Sequence, residues 1–170
     1  MLCFPEADRI PSAHALGFGM LFIMRSIADV ARVLDHAVLK PEFSAADMAA
    51  HARMCIERGV GCLCVRSCDV AEAVRLVAGS PVAVAAVIGF PHGAQRPDVK
   101  ALEAKLAVAD GARELDMVMN VGALKSGRLD LVANDIAAVV AEAKPAGAIV
   151  KVILETCYLA PAEIRTACQL

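Results

Sequence analysis

Three things missing from this chain narrow its reading before any motif is considered. No uncharged apolar run reaches the ~20 residues a helix needs to cross a bilayer, although 58% of the 170 residues are hydrophobic. The formal charge is only -2, so nothing electrostatic points to nucleic acid or an anionic membrane surface as a partner. No low-complexity linker and no internal repeat breaks the chain. What is left is a soluble, core-rich α/β protein of one domain, since this length does not comfortably hold two cores.

A complete metal-ligand set is also missing. Seven cysteines stand at positions 3, 55, 62, 64, 68, 157 and 168. Their number is odd and several fall inside apolar segments, the pattern of free thiols in a reducing cytoplasm rather than of disulfides. Cys62 and Cys64, two apart on a strand, face the same way, and Cys68 follows. No nearby histidine or second C-x-x-C completes a tetrahedral set, so neither zinc nor any other metal is expected. At the start, residues 16–24 are apolar, but only Arg9 lies upstream as basic charge and no small-x-small cleavage site follows. Residues 1–23 therefore read as an N-terminal extension, poorly ordered or helical, rather than a signal peptide. Residues 24–170 read as the domain.

Within the domain, short apolar and β-branched runs of strand length recur at 33–40, 60–65, 82–90, 114–121 and 149–157. Helical patterns lie between them. Ser44, with Asp47 three residues on, opens one that ends at Gly59. Asp69 is placed to cap the next, which ends near Gly79. A third runs from about Pro97 to Asp110, with Val99, Leu102, Leu106 and Ala109 on one stripe and Gly111 as a left-handed stop. The fourth spans 129–143 and ends at Pro145 and Gly147. Pro161 fits the first turn of a fifth, with Glu163 near its positive end. Strand, helix, strand without a break means a parallel sheet with right-handed crossovers.

Five such units fit two architectures, a flavodoxin-like open sheet or part of an eight-unit barrel of about 250 residues. Side-chain parity tips the balance toward the barrel. Glu114, Asp116, Val118 and Asn120 share one face of the fourth strand, opposite Leu115, Met117, Met119 and Val121. Lys151, Ile153, Glu155 and Cys157 share one face of the fifth. Asp116 and Lys151 thus point to a common interior. An open sheet covered on both sides would bury them among apolar groups at several kcal/mol each, whereas a lumen lets charges from several strands pair. From spacing alone, an inert ion pair or strand-end charges reaching solvent remain as open as a functional site.

At these strands the chain resembles the deoxyribose-phosphate aldolase family. The motifs are Leu34-Asp35-His36-Ala37-Val38-Leu39-Lys40-Pro41, Val87-Ile88-Gly89-Phe90-Pro91-His92-Gly93, the run from Glu114-Leu115-Asp116-Met117 through Gly122-Ala123-Leu124-Lys125-Ser126-Gly127, and Lys151-Val152-Ile153-Leu154-Glu155-Thr156-Cys157. They keep the family's order and spacing from about Ile27 to Leu170, with one local departure, Ala37 where the family often has threonine. The resemblance implies a TIM (β/α)8 barrel and a class I aldolase that uses neither metal nor cofactor. It implies reversible cleavage of 2-deoxyribose 5-phosphate, a small phosphorylated sugar, to glyceraldehyde 3-phosphate and acetaldehyde through a lysine Schiff base. Asp116 matches the aspartate of proton transfer, Lys151 a lysine beside the site that is not the Schiff-base former, and Asp35 an orienting residue. Glu155, nearer the mouth, is not assigned a catalytic role.

The same resemblance puts the Schiff-base lysine on a sixth strand, in a lysine-threonine-serine motif beyond Leu170, and a second active-site lysine on a seventh. Phosphate-binding glycines and a helix N-terminus come from the last two units. The expectation is therefore a partial barrel, C-terminally truncated and inactive alone. Lys125 reads as a solvated charge after the fourth strand, and Lys151 as an ammonium stabilised by Asp116. Open sheet edges would favour self-association. Two other readings stand beside this one. One is a non-enzymatic interaction or regulatory fragment that associates with another chain. The other, a flavodoxin-like binding domain, lacks a glycine in Lys40-Pro41-Glu42-Phe43, where a phosphate loop would lie.

Overall fold

The computed structural model describes residues 26–170, so the expectation for residues 1–23 lies outside the described part. In chain order the elements are α1 (Ile27–Ala31), β1 (Asp35–Val38), α2 (Ala45–Arg58), β2 (Cys62–Val65), α3 (Val70–Val77), β3 (Ala83–Ile88), α4 (Pro97–Ala109), β4 (Glu114–Val118), α5 (Val121–Lys125), α6 (Leu129–Ala143), β5 (Ile149–Ile153) and α7 (Pro161–Ala167). None of these helices is long and apolar enough to cross a membrane.

The strands pair in parallel in the order β1-β2-β3-β4-β5. Sequential order means that every crossover steps the same way, and right-handed crossovers then put the helices on one side. A flavodoxin-like sheet reverses direction at a switch point and has helices on both faces. No reversal occurs among the described strands, which rules out the open-sheet alternative. Curvature agrees. Strands about 4.8 Å apart would place the first and fifth of a flat sheet ~19 Å apart, yet Lys151 on β5 contacts Asp35 on β1. The five βα units are curled as an incomplete TIM barrel.

Alternation along the strands sorts the two faces. Outside, Leu63, Val65, Val84, Ala86, Ile88, Leu115 and Met117 pack under the helices with Met48, Ala52, Val70, Ala73 and Val139. Inside, Cys62, Cys64, Ala85 and Val87 form a separate small cluster. The helix ends follow local chemistry. Ser44 Oγ accepts from Asp47 N and the Asp47 carboxylate accepts from Ser44 N at 2.8 Å, closing the expected capping box on α2. Asp69, by contrast, makes no side-chain cap on α3. Its carboxylate takes the Arg66 guanidinium, whose other nitrogens clamp the carbonyls of Lys40, Pro41 and Phe43 after β1. A charged partner outcompetes a backbone N–H.

Helix α4 is turned opposite to its apolar stripe. Val99, Leu102 and Leu106 are 49%, 57% and 56% exposed, while Lys100, Ala104 and Ala107 are buried. The inner face is set by what the strand ends need. Lys100 Nζ donates to Val118 O at 2.8 Å and to Asp135 on α6. Glu103 accepts from Gly89 N and Ser67 Oγ at 2.8 and 2.7 Å. Unpaired backbone groups at the ends of β3 and β4 would cost more than three half-exposed aliphatic side chains. The Gly89–Gly93 turn, which includes a cis Phe90–Pro91 bond, sits on this platform. Gly93 has φ 64°, and a Cβ there would lie 2.1 Å from Met119 O, so only glycine lets the turn settle on β4.

On the outer face of β1, His36 Nε2 lies 2.9 Å from His51 Nδ1 of α2. One proton serves both nitrogens. Burial, then the charge of His51, lowers the His36 pKa from 6.5. A depressed histidine costs nothing above 6.5, where both folded and unfolded forms are neutral. Below it the unfolded chain takes up a proton that the fold refuses. Around the pair stand the Phe43 ring, 5.2 Å from His51, and Lys40, 5.5 Å over Phe43, with Asp47 one turn away. The melting temperature is expected to fall by about 2–4 °C between pH 7 and 5. In His36→Phe this pH dependence should shrink, as thermal scans at both pH values would show.

Candidate active site

The interior cluster assembles from β1, β4 and β5, with Asp35 and Glu114 at the first residue of their strands and Asp116 and Lys151 at mid-strand. Asp116 and Lys151 are register partners on β4 and β5. Lys151 Nζ lies 3.0 Å from Asp116 Oδ1 and 2.9 Å from Glu114 Oε2, and it donates to Asp35 Oδ2 of β1. The structure thus brings together the three residues singled out in the sequence, Asp35, Asp116 and Lys151. It adds a fourth, Glu114, whose inward parity was visible but was not read as part of the site. The signal was there, because residues two apart on one strand share a face.

One ammonium therefore serves three carboxylates, and the pocket is acidic on balance. Burial alone would lower the pKa of Lys151, but contacts with Asp35, Glu114 and Asp116 outweigh it and hold the ammonium well above the ordinary lysine range. Asp116 shifts the other way from a paired aspartate. Burial raises its pKa, and Lys151 only partly pulls it back. Cys64 Sγ sits 3.6 Å from Asp116 Oδ2, and burial followed by the Asp116 charge pushes this thiol up to about 12. It is a weak donor to the carboxylate, not a thiolate nucleophile.

Asp35, Cys62 and Glu114 hold ligand atoms within 4.8 Å of one another. Lys151 already provides positive charge against two of them, and burial raises the Cys62 pKa. An ion would have to displace the ammonium and deprotonate a reluctant thiol, so the donor set does not fit a metal.

Three expected interior positions, Asn120, Glu155 and Cys157, lie beyond the ends of their strands. Strand β4 ends at Val118, and Asn120 instead caps α5, accepting from Ala123 N at 2.9 Å. Strand β5 ends at Ile153, and Glu155 has φ 55° ahead of a 3-10 turn, Thr156–Tyr158. Strand parity does not carry past either end, so it fixes no face for Asn120, Glu155 or Cys157; Cys157 is exposed. Lys125 ends α5 and pairs with Glu163 at 3.1 Å while donating to Tyr158 O at 2.9 Å. It lies outside the charged cluster.

Comparison with known proteins follows the same residues. A profile of the DeoC/LacD family aldolases matches residues 30–168. The deoxyribose-phosphate aldolase of Geobacillus sp. (strain WCH70) is 46% identical over 142 residues, covering 84% of this chain and 63% of its own. That of Exiguobacterium sibiricum is 45% identical over 143 residues, covering 84% and 64%. Among solved structures, a candidate deoxyribose-phosphate aldolase from Coccidioides immitis superposes with TM-score 0.82 at 39% identity, over 85% of this chain and 56% of that one. A tetrameric deoxyribose phosphate aldolase from Aeropyrum pernix gives 0.77 at 29% identity, over 84% and 59%. The chain spans less than two thirds of the length of these curated relatives.

Proposed function

Because this chain belongs to the DeoC/LacD family of aldolases, we propose that its barrel serves the reversible cleavage of 2-deoxyribose 5-phosphate to glyceraldehyde 3-phosphate and acetaldehyde. The observation that carries the reading is the acid and the ammonium, Asp116 and Lys151, paired in the concave interior on adjacent strands.

A lysine amine condenses with the C1 carbonyl and loses water, forming an iminium. The C3 hydroxyl then gives up its proton as the C2–C3 bond breaks. The bonding pair flows toward the iminium nitrogen and leaves an enamine. Protonation at C2 and hydrolysis release acetaldehyde and restore the amine. Cleavage needs a group that takes a proton from oxygen and returns one to carbon, and condensation needs the reverse. Asp116 suits that work, because burial raises its proton affinity while Lys151 keeps the anionic form accessible. Asp35 and Glu114 orient Lys151 and keep it protonated.

Lys151 is unsuited to be the attacking amine. Contacts with three carboxylates hold it as an ammonium, and an ammonium has no lone pair for a carbonyl. Residues 1–170 alone are therefore expected to give no borohydride-trapped adduct with acetaldehyde. Intact mass spectrometry showing such an adduct at Lys151 would overturn this assignment.

The positive test is a chimera of residues 26–170 with the remaining C-terminal part of the Geobacillus relative. Release of acetaldehyde from 2-deoxyribose 5-phosphate is expected. Asp116→Asn should lower kcat by roughly a hundredfold or more. A folded chimera without activity, or one whose Asp116→Asn form keeps its rate, would remove the basis of the proposal.

A further inference from the structure

His36 and His51 stand 15 positions apart, a spacing that announces no ligand set in the sequence, yet the fold brings them together. One lies on β1 and the other on α2, on the opposite side of the sheet from the charged interior. Both residues are only partly buried. Nε2 of His36 is 2.9 Å from Nδ1 of His51, and the ring centroids are 4.9 Å apart with their planes tilted by 35°. That centroid separation is shorter than the nitrogen gap plus two ring radii. The nitrogens therefore meet at a bend rather than head-on.

The gap has a meaning in ligand geometry. Imidazole nitrogens bound at about 2.1 Å on neighbouring corners of an octahedron or a square stand about 3.0 Å apart, whereas a tetrahedral ion holds them about 3.4 Å apart. The observed 2.9 Å matches the right-angled pair. We propose that His36 and His51 chelate a divalent ion of right-angled coordination, of the nickel or copper(II) class, at a site separate from the charged interior.

An ion at the apex of two bonds needs a bent approach, and χ2 of histidine is broad enough to complete it. The proton now held between the rings has a place to go. Nδ1 of His36 and Nε2 of His51 carry one proton each when the facing nitrogens bind, so two neutral imidazoles stay neutral. Among the described residues no third protein ligand joins the pair, and water fills the remaining positions. Nearby charge is mixed: Asp47, one turn before His51, favours a cation, and Lys40 over the Phe43 ring opposes it. Ligand geometry, not the local field, selects the ion. Unlike the set of Asp35, Cys62 and Glu114, this pair requires no thiol to be deprotonated and no ammonium to be displaced. A bound ion bridges β1 and α2 and stabilises the fold by mass action.

Calorimetric titration of the whole, untagged chain with nickel at about pH 7.5, where histidine is ordinarily neutral, tests this. One strong equivalent is expected, with zinc bound more weakly. His36→Gln and His51→Gln should each weaken nickel binding at least tenfold with unchanged far-UV circular dichroism. Near saturation the melting temperature of the parent should rise by several degrees, and those of the variants should not. Two imidazole N–H proton resonances shifted far downfield by the paramagnetic ion, and absent with zinc, give a readout that needs no variant. No nickel binding up to millimolar concentration would overturn the proposal. So would zinc bound more tightly than nickel, a single shifted resonance, or nickel binding that neither substitution weakens, the behaviour of an ion held by the exposed thiols of Cys68, Cys157 or Cys168.

Discussion

Asp135→Ala is expected to cost the fold about 3–5 kcal/mol, the largest stability loss foreseen for a single substitution outside the charged interior. Lys100 and Asp135 are both fully buried, joined side chain to side chain between α4 and α6. Removing the carboxylate leaves an ammonium in an apolar layer with only the Val118 carbonyl as partner. Such a charge must either shed its proton or draw in water, and both are costly. Urea unfolding followed by circular dichroism measures the loss directly.

The companion variant separates pair from packing. Lys100→Met with Asp135→Leu replaces both charges by apolar groups of similar size, and this double change should return most of the stability. Lys100→Met alone should fall between, because it strands a carboxylate and also frees Val118 O. If the double variant is as unstable as Asp135→Ala, the pair acts through shape rather than charge.

Lys151→Met is expected to destabilise the chain by about 2–3 kcal/mol near neutral pH, less than a fully buried pair because Asp35 stays partly exposed. The diagnostic is the pH dependence. Without the ammonium, Asp116, whose pKa burial already raises, loses the contact that pulled it back and faces two further carboxylates in a small space. Groups raised in this way are harmless below the unfolded carboxylate range, where both states hold the proton. They cost stability as pH climbs through the raised folded values. The deficit relative to the parent should thus be small near pH 4 and full by pH 7–8.

The parent chain behaves in the opposite sense at alkaline pH. The Lys151 pKa is raised in the fold, so its contribution is complete below the unfolded lysine value and fades as pH rises toward the folded one. Denaturation midpoints from about pH 4 to 12 in both proteins give the two curves. A deficit constant across that range would mean that the methionine harms packing alone.

How much of this was readable beforehand depends on the distance over which each cause acts. The inward parity of Asp116 and Lys151, the capping box of Ser44 and Asp47, and the ends of α2 and α6 are local effects. Alternation and capping operate over two to four residues, and the chain displays them openly. The motifs at Asp35, Gly89, Asp116 and Lys151 carried the family resemblance for the same reason, since each is a short run on one strand or turn.

Other features were hidden because their causes lie elsewhere in the chain. Glu155 was placed by strand parity, but the strand stops at Ile153 and Glu155 is itself left-handed, so parity does not reach it. Asp69 looked like a cap until Arg66 claimed it. The α4 stripe looked core-facing because apolar periodicity cannot say which side of a helix will be asked to satisfy Val118 O and Gly89 N.

By itself the amino-acid order determined which residues alternate, which helices start and stop where, and that an acid and an amine share one side of the sheet. Only tertiary structure decided that β1 curls round to β5, so that Asp35 and Glu114 join Asp116 about a single ammonium, and that Lys100 is buried while Leu102 is not. The physical reason is one of range. Periodicity and capping are settled by neighbours in sequence, whereas the pairing of a buried charge is settled by whichever opposite charge the finished fold brings within about 3 Å.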